Sequence, residues 1–96
     1  MKTVVVVTDT DGVVAFERAL LSDGGYGFSV LPISSGRGRT GLKAGDRVHP
    51  GTSSLLFTVV PDATLAEALA LISRVRDEAN ARESTKIYVA DVQEVA

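Results

Sequence analysis

The stretch Gly36–Gly51, GRGRTGLKAGDRVHPG, decides the fold, because no helix fits into it. Gly45, Pro50 and Gly51 break a helix, and no apolar face recurs at helical spacing. The stretch lies between two apolar runs, Phe28–Ile33 and Leu55–Val60. Those runs therefore follow one another as strands, with no crossover helix between them. The same stretch concentrates chemistry. It holds five of the nine glycines, four of the ten Lys and Arg residues and the only histidine, and Asp46 is its only acid. Glycine lets backbone N–H groups come close to a ligand. The guanidinium groups of Arg37, Arg39 and Arg47 present planar forks that match phosphate or carboxylate oxygens, and Lys43 adds a point charge. Gly38–Pro50 is expected to be the most mobile part of the free chain, since no apolar face offsets the entropy of ordering it.

Outward from this stretch the elements fall into a simple order. Lys2–Thr8 is a β-branched run that suits a buried strand. Asp9–Gly12 is turn chemistry that also starts a helix, with Asp9 and Asp11 at its N-cap and first turn. Val13, Phe16, Ala19 and Leu20 carry that helix's apolar face, and Asp23, Gly24 and Gly25 end it. On the other side, Pro61 stops the third strand. Thr64 and Glu67 form a capping-box pattern, with Asp62 as a further capping candidate. Leu65, Leu69, Ile72 and Val75 then make one stripe of a second helix. Lys86–Ala90 is a fourth strand. The order β-α-β-β-α-β is the ferredoxin-like α+β plan, a four-stranded antiparallel sheet with both helices on one face. Residues 1–96 form a single domain, with a flexible loop at about 36–53. The strands are apolar on both sides, so the face away from the helices calls for a covering subunit.

Bulk composition excludes several functions. A net charge of −2 argues against general nucleic-acid binding, which needs a broad basic face. With no cysteine and one histidine, a thiolate or multi-histidine metal site cannot be built within one chain. Only four valines precede polar residues at the N-terminus, too few for membrane insertion. A cytoplasmic protein is expected.

Two motifs fit familiar patterns only on the surface. Gly36-Arg37-Gly38-Arg39-Thr40-Gly41 matches G-x-G-x-x-G, but the dinucleotide fold needs a helix directly after it. Asp9-Thr10-Asp11-Gly12 after a strand resembles the first motif of the haloacid dehalogenase phosphatases, whose fold needs a larger chain and later Mg²⁺ ligands. No partner residue gives His49 a catalytic triad. No catalytic residue and no metal ligand is assigned, and the protein is not expected to be an enzyme.

Over nearly its whole length the chain resembles the PII signal-transduction family, in its PII-like branch. Gly36-Arg37-Gly38-Arg39 looks like the family's Gly-x-Gly-Arg at the start of the T-loop. Val59-Val60-Pro61-Asp62 resembles its strand-to-helix junction, and Lys86-Ile87-Tyr88-Val89 its Gly-Lys-Ile-Phe-Val strand. Val92-Gln93-Glu94-Val95 resembles its short tail. The resemblance implies a homotrimer that binds a small anion, typically an adenine nucleotide, in clefts between subunits. It also implies a T-loop, residues 36–51, that contacts a target protein such as a transporter or enzyme. The candidate ligand-binding residues are Gly36, Arg37, Gly38, Arg39, Arg47 and Lys86. No cofactor is required, and the regulatory ligand would be ADP, AMP, ATP, a cyclic nucleotide or a small anion such as bicarbonate. The chain departs from the family where Glu83-Ser84-Thr85 replaces a phosphate-cradling Gly-Asp-Gly, and where it stops before the paired arginines that classical members use on ATP. The T-loop is short and lacks the tyrosine that some members modify. The alternative is a ligand-free interaction module of the same fold.

Overall fold

The computed structural model describes residues 1–35 and 53–96. The glycine-rich stretch, with its expected mobility and with Gly36, Arg37, Gly38, Arg39, Lys43, Arg47 and His49, lies outside the described residues. The elements are β1 (Lys2–Asp9), α1 (Thr10–Ala19, continued by a π-helical turn Leu20–Gly24) and β2 (Ser29–Ile33). They are followed by β3 (Ser53–Val60), a 3₁₀ turn (Asp62–Thr64), α2 (Leu65–Glu78) and β4 (Lys86–Asp91). The sheet has the order β2-β3-β1-β4 with antiparallel neighbours throughout. This is the expected ferredoxin-like arrangement.

The four-valine run sits on a central strand because both of its faces are apolar. Val4, Val6 and Thr8 point to the helices and are buried. Val5 and Val7 alternate to the other face. The core joins Val4, Val6 and Leu56 of the sheet to Val13, Phe16 and Leu20 of the first helical segment and to Leu71, Ile72 and Val75 of α2. It contains one large ring, Phe16, as a chain so poor in aromatics requires.

Several boundaries differ from the sequence reading, each for a local reason. Ser53 belongs to β3, opposite Asp9 and Ile33, so the inter-strand segment is shorter at that end than residues 36–53. α1 starts at Thr10 rather than Val13, because the Asp-Thr-Asp-Gly turn adopts helical geometry itself. Asp9 is the N-cap residue, but its carboxylate makes no capping hydrogen bond. Gly25, at φ 62°, closes the π turn, and the Tyr26 amide donates back to the Leu20 carbonyl at 3.0 Å. A Cβ on Gly24 would collide with the Tyr26 ring.

The buried stripe of α2 is Ala68, Leu71, Ile72 and Val75, rotated slightly from the sequence stripe. Leu65 and Leu69 pack against its margin. Alanine is the residue that lets the helix approach the sheet, and hydropathy patterning gives it little weight. The capping box does not form. Thr64 has φ −105° and ψ 0°, not the extended geometry of a cap, because the 3₁₀ turn already winds the chain before it. Its hydroxyl donates to the Pro61 carbonyl at 3.1 Å instead. Asp62 caps nothing by side chain. Its carboxylate lies 2.8 Å from the Met1 amino group, and that hydrogen bond holds its pKa below the ordinary value.

Candidate functional site

The chemistry collects at one end of the sheet, where β1 stops, β4 begins and the 36–52 segment leaves β2 and rejoins at β3. Residues opposite one another in an antiparallel pair share a face. One row across the open face is therefore Leu31, Leu55, Val7 and Lys86, and the next is Ser29, Phe57, Val5 and Tyr88. Leu31 is 50% and Tyr88 57% exposed, while Leu55, Phe57, Val5 and Val7 are half-buried. The result is an apolar sheet face with no helix over it and one cation, Lys86, at its rim. Lys86 is exposed and makes no ion pair with the described residues.

The turn that delivers Lys86 is held from two sides. α2 ends in a Schellman motif with Asn80 in the left-handed region at φ 53°. The Ala81 amide donates to the Arg76 carbonyl at 2.9 Å, and the Asn80 amide to the Asp77 carbonyl at 3.1 Å. Arg82 then donates to both oxygens of Asp77, at 2.9 and 3.3 Å. Those hydrogen bonds are the main cause of a lowered Asp77 pKa and a raised Arg82 pKa. On the sheet side, the Thr85 and Thr8 hydroxyls lie 2.8 Å apart, and both residues are buried. Thr8 escapes sequence patterning because it reads as one more β-branched strand residue. Thr85 is visible there only as a departure from a glycine pattern.

Of the six candidate ligand-binding residues, the structure places Lys86. The loop side of the site is marked only by its anchors, Ile33–Ser35 and Ser53. They share the sheet end with Lys86, but β2 and β4 are opposite edges. Three inter-strand spacings separate Leu31 from Lys86, about 14 Å. A single copy therefore does not bring the strand base of the loop and Lys86 side by side.

Asp9 and Asp11 border a different feature, a shallow cavity of about 420 Å³ on the helix side, floored by Phe16 and closed by Asn80 and Ser84. Among the described residues, no group of three His, Cys, Asp or Glu residues is placed to hold a metal ion. Among the described residues no helix is long and apolar enough to cross a membrane.

The model of the nitrogen regulatory protein P-II family matches residues 1–96. The chain belongs to the P-II family. Among solved structures it is similar to a DUF3240 family protein from Shewanella baltica OS155, with a TM-score of 0.72 and 16% identity. That match covers 99% of this chain and 92% of the other. At this identity it bears on the fold alone, and it agrees with the βαββαβ order. No curated protein sequence matches the chain. P-II membership agrees with the element order. It also places the chain in a family of regulatory proteins.

Proposed function

We propose that this P-II protein is a regulatory sensor of a small anionic metabolite, assembled as a homotrimer through the open sheet face. The observation that carries the proposal is that face itself, a continuous apolar surface with Lys86 at its rim. Left in water, Val5, Val7, Leu31, Leu55, Phe57 and Tyr88 would form a patch of the kind that marks an interface. Covering it with other copies puts Lys86 at the edge of a cleft between subunits. The wide separation of Lys86 from the loop anchors within one chain supports a site completed by assembly or by the loop reaching across.

In this reading, Gly36, Gly38 and their backbone N–H groups, with Arg37, Arg39 and Arg47, meet the anion from the loop side, and Lys86 meets it from β4. Residues 36–51 then change order with ligand and signal to a target protein, a transporter or an enzyme. A ligand shifts that equilibrium only through different affinities for the two loop states. The protein performs no catalysis, needs no cofactor and works in the cytoplasm. Because Glu83-Ser84-Thr85 offers no glycine cradle, ADP, AMP or a cyclic nucleotide suits the site better than ATP, and bicarbonate is the smallest candidate.

The test is a thermal-shift panel of ADP, AMP, ATP, cyclic AMP and bicarbonate. A ligand that binds only the folded state at a hundredfold excess over Kd stabilises it by about 2.7 kcal/mol. A shift with at least one member, lost in Lys86→Ala, is expected. No shift with any of them would favour the ligand-free interaction module.

A further inference from the structure

The bond between Thr8 and Thr85 has no obvious need to be a bond. Threonine and valine have nearly the same shape, and Val4 and Val6 precede Thr8 on the same buried face of β1, where its cross-strand partner is Ser54. Two valines would fill the space equally well. Two hydroxyls instead form a directional contact at 2.8 Å, one residue beyond the point where the β1–β4 ladder ends at Val7 and Lys86. At that point backbone pairing no longer sets the chain's position. On the helix side a cavity lies beside Thr8, Ala81 and Ser84. Of the side-chain hydrogen bonds made by residues 82–85, Arg82 and Ser84 hold the turn to itself and to α2. The Thr85 bond runs to the sheet.

From this we infer that the Thr8–Thr85 hydroxyl pair is a positioning device that fixes the first residue of β4 and so aims Lys86 into the anion cleft. In effect it replaces a glycine-rich phosphate cradle with a pinned turn carrying one cation. The inference rests on the anion-sensing reading for its functional half, while its structural half stands alone. Both residues lie on the helix side of the sheet and Lys86 faces the other way, so neither shares the open face on which the anion is proposed to bind.

The test separates position from stability. Replacing both hydroxyls by methyls leaves no buried group unpaired, so T8V/T85V should melt close to the wild type. If the pair positions Lys86, ADP binding by T8V/T85V should weaken at least about fivefold, and Lys86→Ala should then add less than it does alone, as expected for coupled sites. Thr8→Ser, which keeps the hydroxyl, should retain wild-type affinity. Wild-type ADP affinity in T8V/T85V, full additivity with Lys86→Ala, or a loss in Thr8→Ser equal to that in Thr8→Val would overturn the inference. Amide exchange at residues 85–88 gives a readout that needs no ligand. Exchange about tenfold faster in T8V/T85V, with the rest of β1 unchanged, supports local positioning, and unchanged exchange refutes it. If the wild type binds no ADP, the sensing reading fails on its own and the exchange result still decides this one.

Discussion

If the open sheet face joins three copies as proposed, Val5→Asp should give folded monomers. Val5 lies at the centre of the open face, on β1 between Phe57 of β3 and Tyr88 of β4. Aspartate has almost the volume of valine, so the change adds charge without bulk. In an isolated chain the new carboxylate points to water. The cost there is the poorer strand preference of aspartate, up to about 1 kcal/mol. The assembled state is different. Four strands at about 4.8 Å spacing and six residues at about 3.3 Å rise give a face of roughly 400 Å² per chain. At about 25 cal/mol per Å², covering it contributes about 10 kcal/mol per chain before association costs. An ionised carboxylate removed from water without a partner costs several kcal/mol, and each copy brings one. Three such penalties, with mutual repulsion, act directly against that gain. Light scattering at micromolar concentration should return three times 10.1 kDa, 30.3 kDa, for the wild type and 10.1 kDa for the variant. Val14→Asp, on an exposed position of α1 behind the sheet, should leave the trimer intact. A trimeric Val5→Asp, or a monomeric wild type, would rule out the open face as the interface between copies.

Other perturbations probe the frame of the site. Asp9→Asn and Asp11→Asn should each cost less than about 1 kcal/mol in denaturant unfolding, because Asp9 makes no capping bond and Asp11 contributes only through the helix dipole. Neither should alter ADP binding. Asn80→Gly should be nearly neutral, whereas Asn80→Ala should cost about 1–2 kcal/mol, since φ 53° is strained for a residue with a Cβ and no local hydrogen bond to offer. The Arg82–Asp77 pair should also leave a pH signature. Asp77 has a folded pKa lowered below its ordinary 3.8, so its stabilisation is complete above that value and is lost as pH falls through the lower folded pKa. The melting difference between the wild type and Arg82→Ala, small because the pair is exposed, should therefore be constant near neutrality and vanish in strong acid.

The fold was legible because its signals are local and agree with one another. The Val4–Val7 run, the breakers at Gly24–Gly25 and Pro61, and the helix-forbidding Gly45, Pro50 and Gly51 each point to one element order. What escaped the sequence depends on geometry across elements. The capping box at Thr64 and Glu67 failed because a 3₁₀ turn changed the backbone ahead of it. The α2 stripe was misread by part of a turn because Ala68 is small enough to pack closest yet barely registers as hydrophobic. The site was only partly legible. Lys86 was a candidate only through the resemblance of Lys86-Ile87-Tyr88-Val89 to the family's last strand. The Thr8–Thr85 bond next to Lys86 spans 77 residues and joins two threonines that any pattern reads as strand filler. The loop-side candidates, Gly36 to Arg39 and Arg47, remain expectations from their chemistry.

In the proposed function, copies of this chain assemble around an anion bound between them. Native mass spectrometry of the protein mixed with ADP tests assembly and occupancy in one spectrum. The expected result is a species of three chains, 30.3 kDa before ligand, carrying up to three ADP molecules that disappear in Lys86→Ala. A spectrum dominated by the 10.1 kDa chain, or a trimer that takes up no ADP, would contradict it.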